Sequence, residues 1–491
     1  FGSQAGADLQ MPQKSVNPLW GSLALDRNSD VSLREQIVSY FRAAVADGRL
    51  PAGRRVASSR QFAGDFDISR TTAVEAYERL IEEGYLLTRP GAGVFVSETP
   101  PERFKLNASG RETQPAEPAD FMPVDMRQYH LPLAPGMPAL DRFPLTIWAR
   151  LTNQLCREQP LNVIGYGDPL GELALREAIV EYLGAARGIV CRPEQIVVIS
   201  GSAQTLAFIL QHVATAGANA WFEDPSSPYV RAVLRRERLQ AVAVPVDALG
   251  MDVEAGMRRA PRARLAIVSP SHQDPTGASM AMERRQALVE WAESVDGWIV
   301  ENEIDGDYRY TSRPLAPIYT LSPNARVIYC GSLSKPLAPG LRANYLVLPR
   351  RLMAGLTLRQ TLVPRLTQLV LARFSSQGFL ASHMNKMRTL YARRRVVLLQ
   401  ALREHAAQFL DVANIPEAGL RVTAALRVGL DDVRVSARCL AAGIKVDPLS
   451  TCYVNAEPKA GLIMGFASTP EERIGPAVRI LVAALRGELD L

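Results

Sequence analysis

Ser332-Leu333-Ser334-Lys335-Pro336-Leu337-Ala338-Pro339-Gly340-Leu341-Arg342 lies between two short apolar runs, at 327–329 and 345–348. Runs of that length and composition read as buried strands, so the segment between them reads as a loop joining two strands. The loop sets a lysine beside two hydroxyl side chains, with an arginine seven residues on. A lysine amine desolvated there gains nucleophilic character because burial lowers its pKa, and an arginine brings a fixed charge suited to a phosphate. An ordinary surface lysine in a loop is the plainer alternative, and the surrounding sequence decides between them.

Working outward, further apolar runs at 196–199, 220–222, 241–244, 265–268 and 298–300 alternate with helical periods from about residue 131 onward. This alternation predicts an α/β domain with a largely parallel sheet. Long helical patterns follow at 350–373 and 376–405, and 420–487 alternates strand and helix again as a smaller α/β lobe. No repeat at a solenoid period is present.

Upstream the texture differs. Residues 1–30 are rich in Gly, Ser, Asn and Gln without a sustained period and read as a flexible leader. Leu33, Ile37, Tyr40, Phe41 and Ala44 recur on one helical face that stops near Gly48. A second helix fits 58–66, opened by Ser58 and Ser59. A third runs from about Arg70 to Glu83, with Ala73, Val74, Tyr77, Leu80 and Ile81 inward. Strands at 85–88 and 94–96 then flank Pro90-Gly91-Ala92-Gly93, a hairpin tip. Three helices and a hairpin in this order predict a winged helix-turn-helix. The proline-rich stretch that follows reads as a linker. The expected organisation is a leader at 1–30, a winged helix at 31–97, a linker at 98–130 and an α/β domain at 131–491.

Composition sets bounds on this reading. At 491 residues, 47% hydrophobic and 22% charged, the chain is too long for a single growing core. Cys156, Cys191, Cys330, Cys439 and Cys452 are scattered without a CxxC pair or metal-ligand spacing, so neither zinc nor a disulfide framework is expected. No apolar run approaches the roughly 20 residues of a membrane span, and no signal pattern opens the chain. A cytoplasmic protein without membrane contact is the expectation. The net charge of +6 does not by itself identify an acidic partner, but its placement is informative. Within 49–72 stand Arg49, Arg54, Arg55, Arg60 and Arg70 against only Asp65 and Asp67.

Those arginines surround the start of the third helix. Ser69 can cap it, leaving Arg70, Thr71 and Thr72 in its first turn, where they can face a major groove. Across 33–96 the sequence resembles the GntR-type winged helix. The matching residues are Gly48-Arg49-Leu50-Pro51-Ala52-Gly53, Ser58-Ser59-Arg60, Ile68-Ser69-Arg70-Thr71-Thr72, Ala76-Tyr77-Glu78-Arg79-Leu80 and Gly91-Ala92-Gly93-Val94-Phe95-Val96. The resemblance implies double-stranded operator DNA as partner, with Ser59, Arg60, Ser69, Arg70, Thr71, Thr72 and Gly91 on the reading surface. Val56-Ala57 replaces the family's usual Leu-Pro, which is expected to loosen the start of the second helix.

Residues from about 131 to 487 resemble fold-type I aminotransferases. Together with the GntR-type head, this is the layout of the MocR family of regulators. The resemblance implies pyridoxal 5'-phosphate held as a Schiff base on Lys335, with Ser332, Ser334 and Arg342 on its phosphate. It places Ser202 and Ala203, in Ser200-Gly201-Ser202-Ala203-Gln204, at the second phosphate-holding turn. Other shared landmarks are Tyr166-Gly167-Asp168-Pro169-Leu170-Gly171 with Leu175-Arg176, His272-Gln273-Asp274-Pro275-Thr276-Gly277 and Tyr308-Arg309-Tyr310.

Departures cluster where the ring and substrate would sit. Asn302 takes the position of the Asp that pairs with the pyridine nitrogen, and a neutral amide cannot supply that countercharge. Ile304 replaces a Tyr, Ser227 replaces the stacking aromatic with Tyr229 nearby as a substitute, and Asp274 stands where Asn or an aromatic is usual. Ile463 takes the place of the Arg that clamps a substrate carboxylate, and Arg421 is the candidate replacement. The expectation is a homodimeric regulator without catalytic residues. Its large domain senses a small amine or amino-acid effector through the cofactor, with Arg421 and Tyr229 as effector contacts. The alternatives are a domain that has lost the cofactor and senses another small molecule, and a functional aminotransferase.

Overall fold

A computed structural model describes residues 23–99, 126–303, 306, 308–310, 316–321, 326–356, 363–413, 415, 418–427 and 429–489. Most of the expected leader (1–22) and linker (100–125), together with Ile304, lie outside the described residues. The chain divides into two compact units, Phe1–Ala119 and Asp120–Leu491.

In the first unit, serine hydroxyls start each helix. Ser32, Ser58 and Ser69 cap α1 (Leu33–Ala46), α2 (Ser59–Asp65) and α3 (Arg70–Glu82), each accepting a first-turn backbone N–H. The helices close on Phe41, Phe62 and Tyr77, whose ring centroids lie 5.5–5.9 Å apart. The wing pairs β2 (Leu86–Arg89) with β3 (Gly93–Val96), and β1 (Arg55–Val56) adds a third strand missed in the sequence. The buried stripe of α3 follows Ala73, Ala76, Tyr77 and Leu80. That spacing leaves Val74 at its edge and Ile81 36% exposed, contrary to the expected face. The start of α2 is not loose: Val56 pairs with Val94, and the Ala57 carbonyl accepts the Tyr77 hydroxyl at 3.1 Å. The end of the expected leader is ordered too, because Leu23 and Leu25 pack on this core and Gln36 bonds Asp26 through both amide atoms.

The second unit opens with a 3-10 turn at Met126–His130, where a linker was expected. Its sheet runs β4 (Ile196–Ser200), β11 (Ala343–Val347), β10 (Val327–Ser332), β9 (Trp298–Asn302), β8 (Leu265–Val268), β5 (Asn219–Asp224), β6 (Gln240–Asp247), β7 (Gly250–Met251). Pairing is parallel from β10 to β6, while β11 lies antiparallel between β4 and β10. Nearly continuous apolar sequence in these strands matches burial on both faces. The carboxyl ends of β4, β5, β8, β9 and β10 therefore meet along one edge, where open α/β sheets bind ligands.

The long helix expected at 350–373 is broken. Arg350–Met353 and Arg365–Ser376 are separate helices, the second starting after Pro364, which has no N–H to continue a ladder. The C-terminal lobe is a four-stranded antiparallel sheet, β12 (Leu410–Asp411), β13 (Arg421–Leu426), β15 (Gly461–Gly465) and β14 (Asp447–Pro448). Its core joins Val422 and Met464 to Leu398 and Leu402 of the helix Phe379–His405 and Val478 and Leu481 of the helix Glu471–Leu489. Among the described residues no helix is long and apolar enough to cross a membrane.

Candidate functional site

On the winged helix the arginines sort into two sets. Arg34, Arg42, Arg49, Arg79 and Arg89 each pair with a carboxylate of the same unit. Arg54, Arg60 and Arg70 are exposed, and among the described residues no acidic side chain pairs with them. Ser69 is spent on capping, its Oγ accepting the Thr72 N–H at 3.0 Å and lying 2.7 Å from the Thr72 hydroxyl. Thr71 is exposed beside Arg70, Ser59 is half-buried at the start of α2, and Gly91 turns the exposed wing tip at φ +74°. Unpaired guanidinium groups at the first turns of α2 and α3 are suited to guanine edges and phosphates. Replacing Arg70 with Ala should weaken binding to selected DNA by roughly 1–3 kcal/mol and relax base preference at one position. Unchanged affinity and specificity in a binding titration would remove Arg70 from the reading set.

In the second unit the loop after β10 is built by its own hydroxyls. Ser332 Oγ donates to Asn344 Oδ1 at 2.8 Å and accepts the N–H groups of Ser334 and Lys335. Ser334 Oγ accepts the Ala343 N–H at 2.7 Å. Both serines thus shape the turn that presents Lys335, rather than pointing idle hydroxyls at a ligand. Lys335 is half-buried with Nζ 3.4 Å from the Gly136 carbonyl. Asn344, a buried amide in an apolar strand, extends the network to Ser202 Oγ and Thr205 Oγ1, each at 3.4 Å. Its signal was available, since a polar residue inside a buried run calls for an explanation.

Gly201 precedes the helix Ser202–Val213 at φ +74°, and a Cβ there would run into the Arg342 guanidinium. The glycine thus lets a guanidinium lie against a helix start that no side chain caps. First-turn N–H groups, the helix dipole, Ser202 and Arg342 form a set of donors with the chemistry an anion requires. Ala203 sits in that first turn, half-buried.

The facing wall differs from expectation in two pairings. Asp274 does not stand alone: its carboxylate pairs with Arg421 at 2.8 Å. Asn302 Nδ2 donates to the Tyr229 hydroxyl at 3.1 Å, so the two neutral groups satisfy each other at the end of β9. Arg421 lies opposite Gly465, and Thr423 opposite Ile463, so all four share one face of the lobe sheet. Ile463 itself is buried against Leu449 and Cys452. Thr423 donates to the Pro275 carbonyl at 2.6 Å, and Asp224 accepts the N–H groups of Val454, Asn455 and Ala456, which tie the lobe to the loops at the strand ends. Behind this wall Glu223 is fully buried, accepting the Ser269 N–H, and burial pushes its pKa up to about 8. Among the described residues no cluster of metal ligands occurs.

Residues 33–96 match the bacterial regulatory proteins of the gntR family, and residues 132–481 match aminotransferase class I and II. The chain is 33% identical to the probable rhizopine catabolism regulatory protein MocR of Rhizobium meliloti, over 94% of this chain and 95% of that one. It is 29% identical to the pyridoxine biosynthesis transcriptional regulator PdxR of Corynebacterium glutamicum, over 92% and 96%. Among solved structures, the α-aminoadipate aminotransferase LysN of Thermus thermophilus, complexed with N-(5'-phosphopyridoxyl)-L-leucine, superposes with a TM-score of 0.65 at 26% identity, covering 73% of this chain and 93% of that one. With a GntR winged helix and an aminotransferase class I and II domain in one chain, aligned nearly end to end with such regulators, the chain belongs to the MocR-type regulators of the GntR superfamily.

Proposed function

We propose that this protein regulates transcription by binding operator DNA through its winged helix, and that its aminotransferase-like unit senses a small amine or amino acid through pyridoxal phosphate on Lys335. The observation that carries the reading is the convergence of Lys335, the Gly201–Ser202 helix start and Arg342 at one edge of the sheet. Arg342, the Ser202 hydroxyl and the helix-start N–H groups make a donor set that fits a phosphate monoester, and the lysine adjoins it on the same loop. When bound, the cofactor would supply an aldehyde that captures amines and a ring that withdraws electrons from them.

Everything else falls to the chain's own side chains. Arg421 offers a cation to an effector carboxylate, which must take the place of Asp274 to reach it. Tyr229 offers its hydroxyl beside Asn302. A neutral amide at 302 donates or accepts hydrogen bonds but holds no charge, so the electron demand of transamination goes unsupported while amine capture is unaffected. A sensor needs only that a ligand bind two arrangements unequally, without being consumed.

Leu161, Ile164 and Tyr166 are 78%, 81% and 89% exposed around the short helix Pro160–Ile164. Large apolar side chains grouped in this way support a homodimer formed through this unit, with each winged helix taking one half-site in the cytoplasm. The test is a titration of DNA selected from a randomised pool, with cofactor and a panel of amines and amino acids. A shift in DNA affinity by one of them, without release of a 2-oxo acid, is expected. In Asn302→Asp, oxo-acid release should rise on the order of tenfold or more. Brisk release by the unmodified protein would instead make it an aminotransferase. A response that needs no cofactor would assign the sensor to another small molecule.

A further inference from the structure

The three-stranded sheet of the first unit has two unlike faces, because side chains alternate along a strand. Val56, Val94 and Val96 pack on the helical core. Arg55, Arg89, Gly93 and Phe95 share the outer face, since Arg55 pairs with Phe95 across β1 and β3, and Arg89 pairs with Gly93 across β2 and β3. The two arginines there differ. Arg89 stacks on Phe95, 4.8 Å from the ring centroid, and pairs with Glu98 at 2.9 Å. Arg55 is exposed, and among the described residues no carboxylate pairs with it.

Arg55 stands on an edge strand, yet its side chain crosses β3 toward the hairpin tip. A Cβ on Gly93 would lie 3.2 Å from Arg55 Nε and 3.4 Å from its Nη2, so the guanidinium rests against the Gly93 backbone. Gly93 also holds φ +109°, a conformation open to glycine and closed to most side chains. Beyond it the Ala92 N–H donates to the Arg89 carbonyl at 3.0 Å and closes the turn Pro90-Gly91-Ala92-Gly93. The outcome is a thin hairpin end with one uncompensated guanidinium laid along it.

We propose that Arg55 enters the minor groove of the operator at the wing and adds a preference for A·T pairs beside the bases read by α3. This inference rests on the operator-binding reading above. A helix in the major groove has a minor groove on either side of it, about 6 Å wide. A Gly-Ala-Gly tip is slim enough for such a slot. A·T tracts narrow the groove and strengthen its negative potential, which draws arginine, whereas a guanine amino group there obstructs it. Charge alone does not single out Arg55, because phosphates accept any cation. Its placement over a glycine at the thin end of the wing does, and Arg54, exposed one residue before the strand, lacks that placement.

The test uses the full chain and DNA that it enriches from a randomised pool. The pairs flanking each half-site are made A·T, inosine·cytosine or G·C. Inosine lacks the guanine amino group, so inosine·cytosine presents an A·T-like minor groove and a G·C-like major groove. The unmodified protein should bind A·T and inosine·cytosine flanks alike, and G·C flanks on the order of tenfold more weakly. Arg55→Ala should lose about tenfold on the first two and bind all three equally. Arg55→Lys, which keeps the charge without the planar fork, should not restore the preference. Arg70→Ala should retain it. A loss of equal size on every flank in Arg55→Ala would make Arg55 a phosphate contact and overturn the proposal. So would unchanged binding in that variant, or inosine·cytosine behaving as G·C. Failure of the unmodified protein to enrich any sequence would overturn the operator-binding reading itself, and this inference with it.

Discussion

Replacing Lys335 with Ala should abolish the cofactor's visible absorbance and every borohydride-stable adduct, and with them the effect of any amine on DNA binding, while leaving unliganded DNA affinity intact. The size of this effect follows from where the amine sits. Lys335 is presented by a turn whose hydrogen bonds run through Ser332, Ser334, Ala343 and Asn344, all independent of its side chain. Truncation therefore removes the nucleophile without dismantling the loop. The phosphate donors at Gly201, Ser202 and Arg342 also remain, so weak non-covalent binding of the cofactor should survive in an equilibrium titration. A variant that keeps both the absorbance and the ligand response would place the covalent anchor on a different lysine.

The second large effect is on stability and concerns pH. Glu223 is fully buried with its pKa pushed up from 4.5 to about 8 by loss of hydration, against the Ser269 and Gln273 hydrogen bonds that favour its ionised form. Between those values the unfolded carboxyl ionises while the folded one stays protonated. The folded pKa is the higher one, so its contribution is fully present below the unfolded pKa and is lost as pH rises through the folded value. At about 1.4 kcal/mol per unit, the loss by pH 8 is on the order of a few kcal/mol. Glu223→Gln keeps an oxygen for both donors and never ionises. It should be close to neutral for stability near pH 4.5 and increasingly stabilising toward pH 8, read from the melting temperature of the large unit. An equal difference at both ends of that range would contradict the protonated state.

Much of this architecture is legible in the sequence. The serine starts of α2 and α3 were readable because a hydroxyl just ahead of an amphipathic period has one obvious use. The Lys335 loop was readable because charged and hydroxyl side chains between two buried strands must serve a purpose. The pairings were not readable. Asp274 and Arg421 belong to different lobes, and their contact depends on the lobe sheet meeting the loop at Pro275, where Thr423 bonds across 148 positions. Asn302 and Tyr229 meet across 73 positions for a similar reason, each standing at or just beyond the carboxyl end of its own strand. Local sequence carried the elements and the anion-binding turn, whereas long-range register decided which departures from the aminotransferase pattern satisfy one another.

Peptide mapping by mass spectrometry, after borohydride reduction of the protein at saturating pyridoxal phosphate, tests the central claim most directly. The account predicts one phosphopyridoxyl adduct, on the peptide containing Lys335, and its displacement when a recognised amine is added before reduction. An unmodified Lys335 peptide, with the protein still binding its DNA and still responding to a small molecule, would contradict it.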